Sequence, residues 1–236
     1  MTGGGAPTLA EDLAAAALSL ARRFAAGATM WCASPRWPAH GRHVAVEFVH
    51  PVIVGKRALP AVHVGGDDLV GTTRLLARPG DIILAIGDAD DARLQALLRR
   101  ADAWGLTSLW VGAGPRPAAG AADHVIWIDG SEAARVARSG ELVMLYHLLW
   151  ELTHVVFEHP GLLEPEPTCT DEVCATCADE GRVAEVAAVL GGGSADVVAA
   201  GVHETVDVSL VDRLNPGDLV LVHAGVAISM LRETVP

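Results

Sequence analysis

Three thiols stand in one short stretch, Cys169-x4-Cys174-x2-Cys177. Thiolates are soft ligands for zinc, iron and copper(I), and in a reducing compartment such a cluster points to metal or redox chemistry rather than to structural disulfides. The fourth cysteine, Cys32, stands at the end of a predicted strand and reads as a small buried hydrophobe. His223 closes the apolar run Leu219-Val220-Leu221-Val222 and is either a ligand or a strand-end histidine bonded to backbone. A second group lies upstream. His43 and Glu47 are spaced i, i+4 on one helix face, as a surface ion pair or as residual metal ligands. Asp88, Asp90 and Asp91 precede a predicted helix whose free N–H groups and dipole they suit, with a divalent-cation site as the alternative. His147 and His154 lie on a long, mostly apolar helix and read as core or interface histidines.

The elements that must position these groups follow from the apolar pattern. Strands are predicted at residues 28–32, 61–64, 81–86, 108–111 and 124–128, and helices at 9–26, 92–104 and 141–159. Strands alternating with helices imply a parallel sheet covered on both faces. The pattern ends at His159-Pro160-Gly161 and Glu164-Pro165-Glu166-Pro167, which cannot continue a helix. Beyond it come strands at 205–208 and 219–223, a reversal at Asn215-Pro216-Gly217-Asp218, and a Gly191-Gly192-Gly193-Ser194 turn joining two further strands. The expected division is an α/β domain at residues 1–163 and a small all-β domain at 164–236.

Charge narrows the partners. A formal net charge of -12 disfavours nucleic acid and an anionic membrane surface, both of which require a cationic face. Lys56 is the only lysine. No segment reaches the ~20 consecutive apolar residues of a membrane span, and the alanine-rich start lacks the basic flank of a signal peptide. A soluble, cytoplasmic protein is expected.

The C-terminal wording is more specific than its periodicity. The run Val208-Ser209-Leu210-Val211-Asp212, followed by Pro216-Gly217-Asp218-Leu219-Val220-Leu221-Val222-His223-Ala224-Gly225-Val226-Ala227-Ile228, closely resembles the HupF/HypC chaperones of [NiFe]-hydrogenase assembly. The resemblance implies a small OB-like β-barrel that carries an iron centre, Fe(CN)2(CO), between a HypD-like scaffold protein and the hydrogenase large subunit. A cysteine thiolate is the functional group in that family, with help from a histidine. Here the matching positions fall on Cys177 or Cys174 and on His223, with Cys169 a further thiol. The family's cysteine directly follows the initiator methionine, whereas this cluster is internal.

The N-terminal half resembles sugar isomerase (SIS) domains of the phosphoheptose isomerase type. The resemblance spans roughly residues 20–160. It rests on Arg78-Pro79-Gly80-Asp81-Ile82-Ile83-Leu84-Ala85-Ile86, the stretch LQALLRRADAWGLTSLW at 94–110, Ala122-Asp123-His124-Val125-Ile126, and His43-Val44-Ala45-Val46-Glu47-Phe48. Two departures stand out. The family's hydroxyl- and glycine-rich phosphate loops are replaced by Gly87-Asp88-Ala89-Asp90-Asp91 and by Ala33-Ser34-Pro35-Arg36-Trp37-Pro38. Of the family's metal and acid–base residues, His43 and Glu47 remain as a remnant site, while the opposite positions fall on Met144 and Leu152, which can neither ligate zinc well nor move a proton.

The resulting expectation is a metallocentre-assembly chaperone that is not an enzyme, with an SIS-like domain for homodimerisation or docking. Two alternatives come from other classes. One is a phosphosugar isomerase or phosphosugar-binding protein with an accessory β-module. The other is an interaction module stabilised by zinc at the cysteine cluster.

Overall fold

The computed structural model describes residues 8–129, 139–164 and 181–231. The chain forms two compact units divided between Pro165 and Glu166, with Arg100–Leu106 grouped with the second.

The first unit runs α1 (Leu9–Ala25), β1 (Met30–Ala33), α2 (Pro38–Val49), β2 (Ala61–Val64), α3 (Leu69–Leu76), β3 (Ile82–Ile86), α4 (Ala92–Ala101), β4 (Thr107–Gly114), β5 (His124–Asp129) and α5 (Ser139–Glu158). All sheet pairings are parallel, in the order β2-β1-β3-β4-β5. Every residue of β3 and β4 is buried, so these apolar runs are the central strands of a sheet covered on both faces. The strand order reverses between β1 and β3. In open α/β sheets that reversal opens a crevice at the carboxyl ends, where ligands bind.

Local chemistry fixes these elements. Thr8 and Glu11 form a reciprocal capping box at the start of α1. The buried Asp81 carboxylate accepts from Thr29 N (2.8 Å), Trp31 Nε1 (2.9 Å) and Arg78 N (3.0 Å), tying the starts of β1 and β3 together. One core joins Leu13 and Leu20 of α1, Val44 and Phe48 of α2, Leu142 and Leu149 of α5, and Ile82, Leu84 and Ile86 of β3. Cys32 is wholly buried in it, and burial pushes its thiol well above the ordinary range, as suits an inert small hydrophobe. The helix predicted at 92–104 stops at Ala101, because a turn follows in which Gly105 takes φ +70°.

The second unit holds β6 (Arg182–Gly191), β7 (Ser194–Ala199), β8 (Val202–Asp207), β9 (Leu219–His223) and β10 (Val226–Met230). They close into a barrel in the order β10-β8-β7-β6-β9. Its interior is lined by small or β-branched residues, among them Ala184, Val186, Ala195, Val197, Val206, Val220, Val222 and Ala227. Such side chains fit the narrow bore of a five-stranded barrel. Two hairpins turn on an Ala-Gly pair with both φ values positive: Ala200 and Gly201 at 50° and 79°, Ala224 and Gly225 at 48° and 80°. That geometry matches the right-handed twist of the flanking strands. The expected α/β fold followed by a β-barrel is therefore observed.

Gly112 of β4 has no room for a side chain: a Cβ there would collide with the Trp127 ring and with the Gly87 carbonyl. Gly112→Ala is expected to destabilise the first unit by about 1–3 kcal/mol, the usual cost of overpacking. Urea denaturation followed by tryptophan fluorescence checks this, and an unchanged midpoint would contradict the packing described.

Candidate functional site

At the carboxyl edge of the first sheet, the loops after β1 and β3 are joined by charged side chains. Arg36, in the loop after β1, places its guanidinium 2.5 Å from Asp88 Oδ2 and 3.4 Å from Asp90 Oδ1 in the loop after β3. The hydrogen bond to Asp88 holds Arg36 above its ordinary pKa. Asp91 is buried, and its Oδ1 accepts from Arg93 N at 3.1 Å, the contact expected of a cap on α4. The three carboxylates thus do not stand as bare repelling charges. Asp88 and Asp90 pair with Arg36, and Asp91 caps the helix.

A cluster of donors sits where α2 meets α5. Pro38 at the first turn of α2, with its φ preset for helix, starts the segment that carries His40, His43 and Glu47. On α5 the apolar face, including Leu142, Tyr146, Leu149 and Trp150, is buried in the core, and His147 falls beside it, half-buried. His43 Nε2 lies 3.2 Å from Glu47 Oε1, and His147 Nε2 lies 3.3 Å from His43 Nε2 and 3.7 Å from Glu47 Oε1. The three residues offer ligand atoms within 4.8 Å of one another, the only such grouping found among the described residues. Two imidazoles and a carboxylate form a donor set suited to zinc or another divalent transition metal.

Behind the cluster, the Tyr146 hydroxyl lies 3.0 Å from His43 Nδ1 and 3.4 Å from His40 Nδ1. Burial, with a smaller contribution from Glu47, raises the Tyr146 pKa to about 12. Burial and then His43 hold His40 below its ordinary value.

His147, expected as a core or interface histidine, is half-buried and faces His43 and Glu47. The place opposite that pair is taken by His147 rather than by Met144 or Leu152. Met144, one helical turn away, is 70% exposed, and Leu152 packs against the core. His154 is a satisfied core histidine, with Nδ1 2.8 Å from Trp150 O and Nε2 3.0 Å from Arg57 O.

In the barrel, His223 ends β9 and enters the Ala224-Gly225 turn, with Val226 as its cross-strand partner. Strands β6 and β9 are antiparallel, with Arg182 opposite Val222 and Val183 opposite Leu221. The chain therefore enters the barrel at the His223 end of β9. Cys169, Cys174 and Cys177 lie outside the described residues. Cys177 precedes Gly181 by four residues, a length that spans at most about 14 Å.

Two histidines, His40 buried and His63 half-buried, set a pH dependence. His40 and His63 are both held below their ordinary pKa, chiefly by desolvation. Each therefore gains its proton in the unfolded chain at a higher pH than in the folded one. Stability of the first unit should be greatest above about pH 6.5, the unfolded value, and fall as the pH drops toward the lowered folded values. A lower urea midpoint at about pH 5.5 than at about pH 7.5 is expected. His40→Gln should flatten part of that slope. Equal midpoints in the parent protein would contradict it.

Comparison with known proteins gives each unit a counterpart. Residues 178–235 match the HupF/HypC family, a match that begins immediately after Cys177. No curated protein matches the chain by sequence. Among solved structures, a phosphoheptose isomerase from Francisella tularensis aligns with 61% of this chain and 85% of its own, at 14% identity and a TM-score of 0.53. The phosphoheptose isomerase GmhA from Neisseria gonorrhoeae aligns with 60% of this chain and 84% of its own, at 16% identity and a TM-score of 0.48. Identities this low speak to fold and not to activity. The C-terminal barrel is thus similar to the HupF/HypC family over residues 178–235, and the unit before it shares the α/β fold of a phosphoheptose isomerase.

Proposed function

We propose that this chain is a [NiFe]-hydrogenase maturation chaperone whose cargo is the Fe(CN)2(CO) centre, received from a HypD-like scaffold protein and passed to the hydrogenase large subunit. The observation that carries this reading is the β6–β9 register within the HupF/HypC-matched barrel. It sets Arg182, five residues after Cys177, opposite Val222 at the His223 end of β9.

The residue types suit the task. A thiolate from Cys177 or Cys174 forms a strong bond to iron. A partner's thiolate can replace it by ligand exchange: one Fe–S bond forms as the other breaks, the released thiolate takes up a proton, and no oxidant is needed. His223 can orient or tune such a centre by hydrogen bonding or direct ligation. Cys169 is a third thiol at the same cluster, and zinc bound there instead of iron is the competing outcome.

In this reading the first unit docks or dimerises rather than isomerising sugar phosphates. Arg36 pairs with Asp88 and Asp90 between the loops after β1 and β3, at the strand-order reversal where an isomerase would need phosphate donors. Exposed apolar side chains, Val46 of α2 and Met144 and Leu148 of α5, offer a surface of the kind a second chain covers.

A second reading concerns the α2–α5 cluster alone and is favoured by its donor geometry: His43, Glu47 and His147 hold a divalent metal. A metal there supplies a Lewis-acid centre. The protein's part is to hold two neutral imidazoles and one carboxylate in place.

Infrared spectroscopy of the anaerobically purified protein, co-produced with the assembly machinery, tests the main proposal, because iron-bound carbon monoxide and cyanide absorb where protein does not. Bands are expected in the parent protein, absent after Cys174→Ala/Cys177→Ala, and weakened by the ~10- to 100-fold affinity loss of a tuning residue after His223→Ala. Cys32→Ala should leave them unchanged. Diatomic bands that survive the double replacement, or a cluster that holds only zinc, would rule the reading out.

A further inference from the structure

The proton on the Tyr146 hydroxyl cannot serve both of its neighbours. His43 Nδ1 and His40 Nδ1 approach the same oxygen, at 3.0 Å and 3.4 Å. A phenol carries one proton to donate and lone pairs to accept with. Two self-consistent arrangements exist. In the first, His40 Nδ1–H donates to the Tyr146 oxygen, the hydroxyl donates to His43 Nδ1, and His43 Nε2–H donates to Glu47 Oε1 across 3.2 Å. His43 then turns a proton toward Glu47 and His147 and cannot ligate. In the second, both bonds at the Tyr146 oxygen are reversed and the bond to Glu47 is given up, because a carboxylate has no proton to donate. His43 Nδ1–H donates to the Tyr146 oxygen, the hydroxyl donates to His40 Nδ1, and His40 keeps its proton on Nε2. Now His43 Nε2 presents a lone pair to the cluster. Each arrangement holds three protons, so the change moves them without gaining or losing any.

We propose that Tyr146 is a positioning residue that selects the ligating tautomer of His43, with His40 completing the line behind it. This rests on the divalent-metal reading of His43, Glu47 and His147 given above. The second arrangement matches the general design of metal-bound imidazoles, whose far N–H is held by an acceptor that fixes ring and tautomer. Packing suits the role. Tyr146 is fully buried, its ring edge-on to both His43 and His40 with centroids 5.3 Å and 5.9 Å away, so the hydroxyl has little freedom to turn elsewhere. Its acceptor function is separable from its bulk, since phenylalanine keeps the ring and loses only the oxygen.

The test uses the full chain labelled with 15N in histidine and titrated with zinc chloride against a competing chelator. Occupancy is read from the imidazole nitrogens of His43 and His147, which zinc at the cysteines does not report. In the parent protein zinc should attach at His43 Nε2, with the proton on Nδ1. Tyr146→Phe should weaken binding at this site by about 10- to 100-fold, the usual effect of removing such a partner, and release the tautomer preference of zinc-free His43. Unchanged affinity and tautomer in Tyr146→Phe would overturn the role of Tyr146 while leaving the metal site standing. Signals of His43 and His147 that ignore zinc would overturn the metal reading and the role of Tyr146 together. Should Tyr146→Phe fail to fold, the parent spectrum still decides: zinc attached at His43 Nδ1 excludes the proposed line.

Discussion

The antiparallel pairing of β6 with β9 is the constraint on which the functional reading depends. It helps close a barrel whose interior is built from alanine and valine, and it sets which end of β9 the incoming chain meets. Because side chains alternate across a strand, slipping that register by one residue would turn Val220 and Val222 outward and carry their burial with them. The same register puts Arg182 opposite Val222, one residue short of His223. Two Ala-Gly turns tighten the arrangement, one of them directly after His223. A small domain with so narrow a core gains its definition from closure and tight turns.

In the first unit a comparable role falls to the packing of α2 against α5. Their apolar faces enter one core, and the residues at the margin of that contact, His43, Glu47 and His147, are brought together as a consequence. The crevice at the sheet's carboxyl edge follows different logic. Where a ligand-binding α/β fold keeps donors free, this chain spends Arg36 on Asp88 and Asp90. One fold thus carries a collected donor cluster on its helices and a loop pair at its strand ends joined by Arg36 and two carboxylates.

The strands were legible because they are short apolar runs bounded by glycine and proline. Residues 61–64 and 219–223 read from the sequence as they stand in the structure, since their length and β-branched content leave little competition from helix. Helix ends were less legible. The apolar period at residues 92–104 runs on past Ala101, and only the backbone of Gly105 reveals the turn. The candidate sites divide in the same way. His43 and Glu47 are four apart on one helix, so local spacing announces them. His147 is more than a hundred residues away, and only the crossing of two helices makes it their neighbour. Tyr146 gave no signal at all, since a tyrosine on an apolar helix face reads as core, which it also is.

The central claim is that thiolate and imidazole from the barrel unit hold iron as cargo, and the ligand shell of that iron tests it most directly. Iron-edge X-ray absorption on the anaerobically loaded full chain should show a sulfur neighbour together with light-atom scattering from the diatomic ligands. The sulfur shell should vanish when Cys174 and Cys177 are both replaced. Iron bound only through nitrogen and oxygen, or an iron shell indifferent to both cysteines, would contradict it.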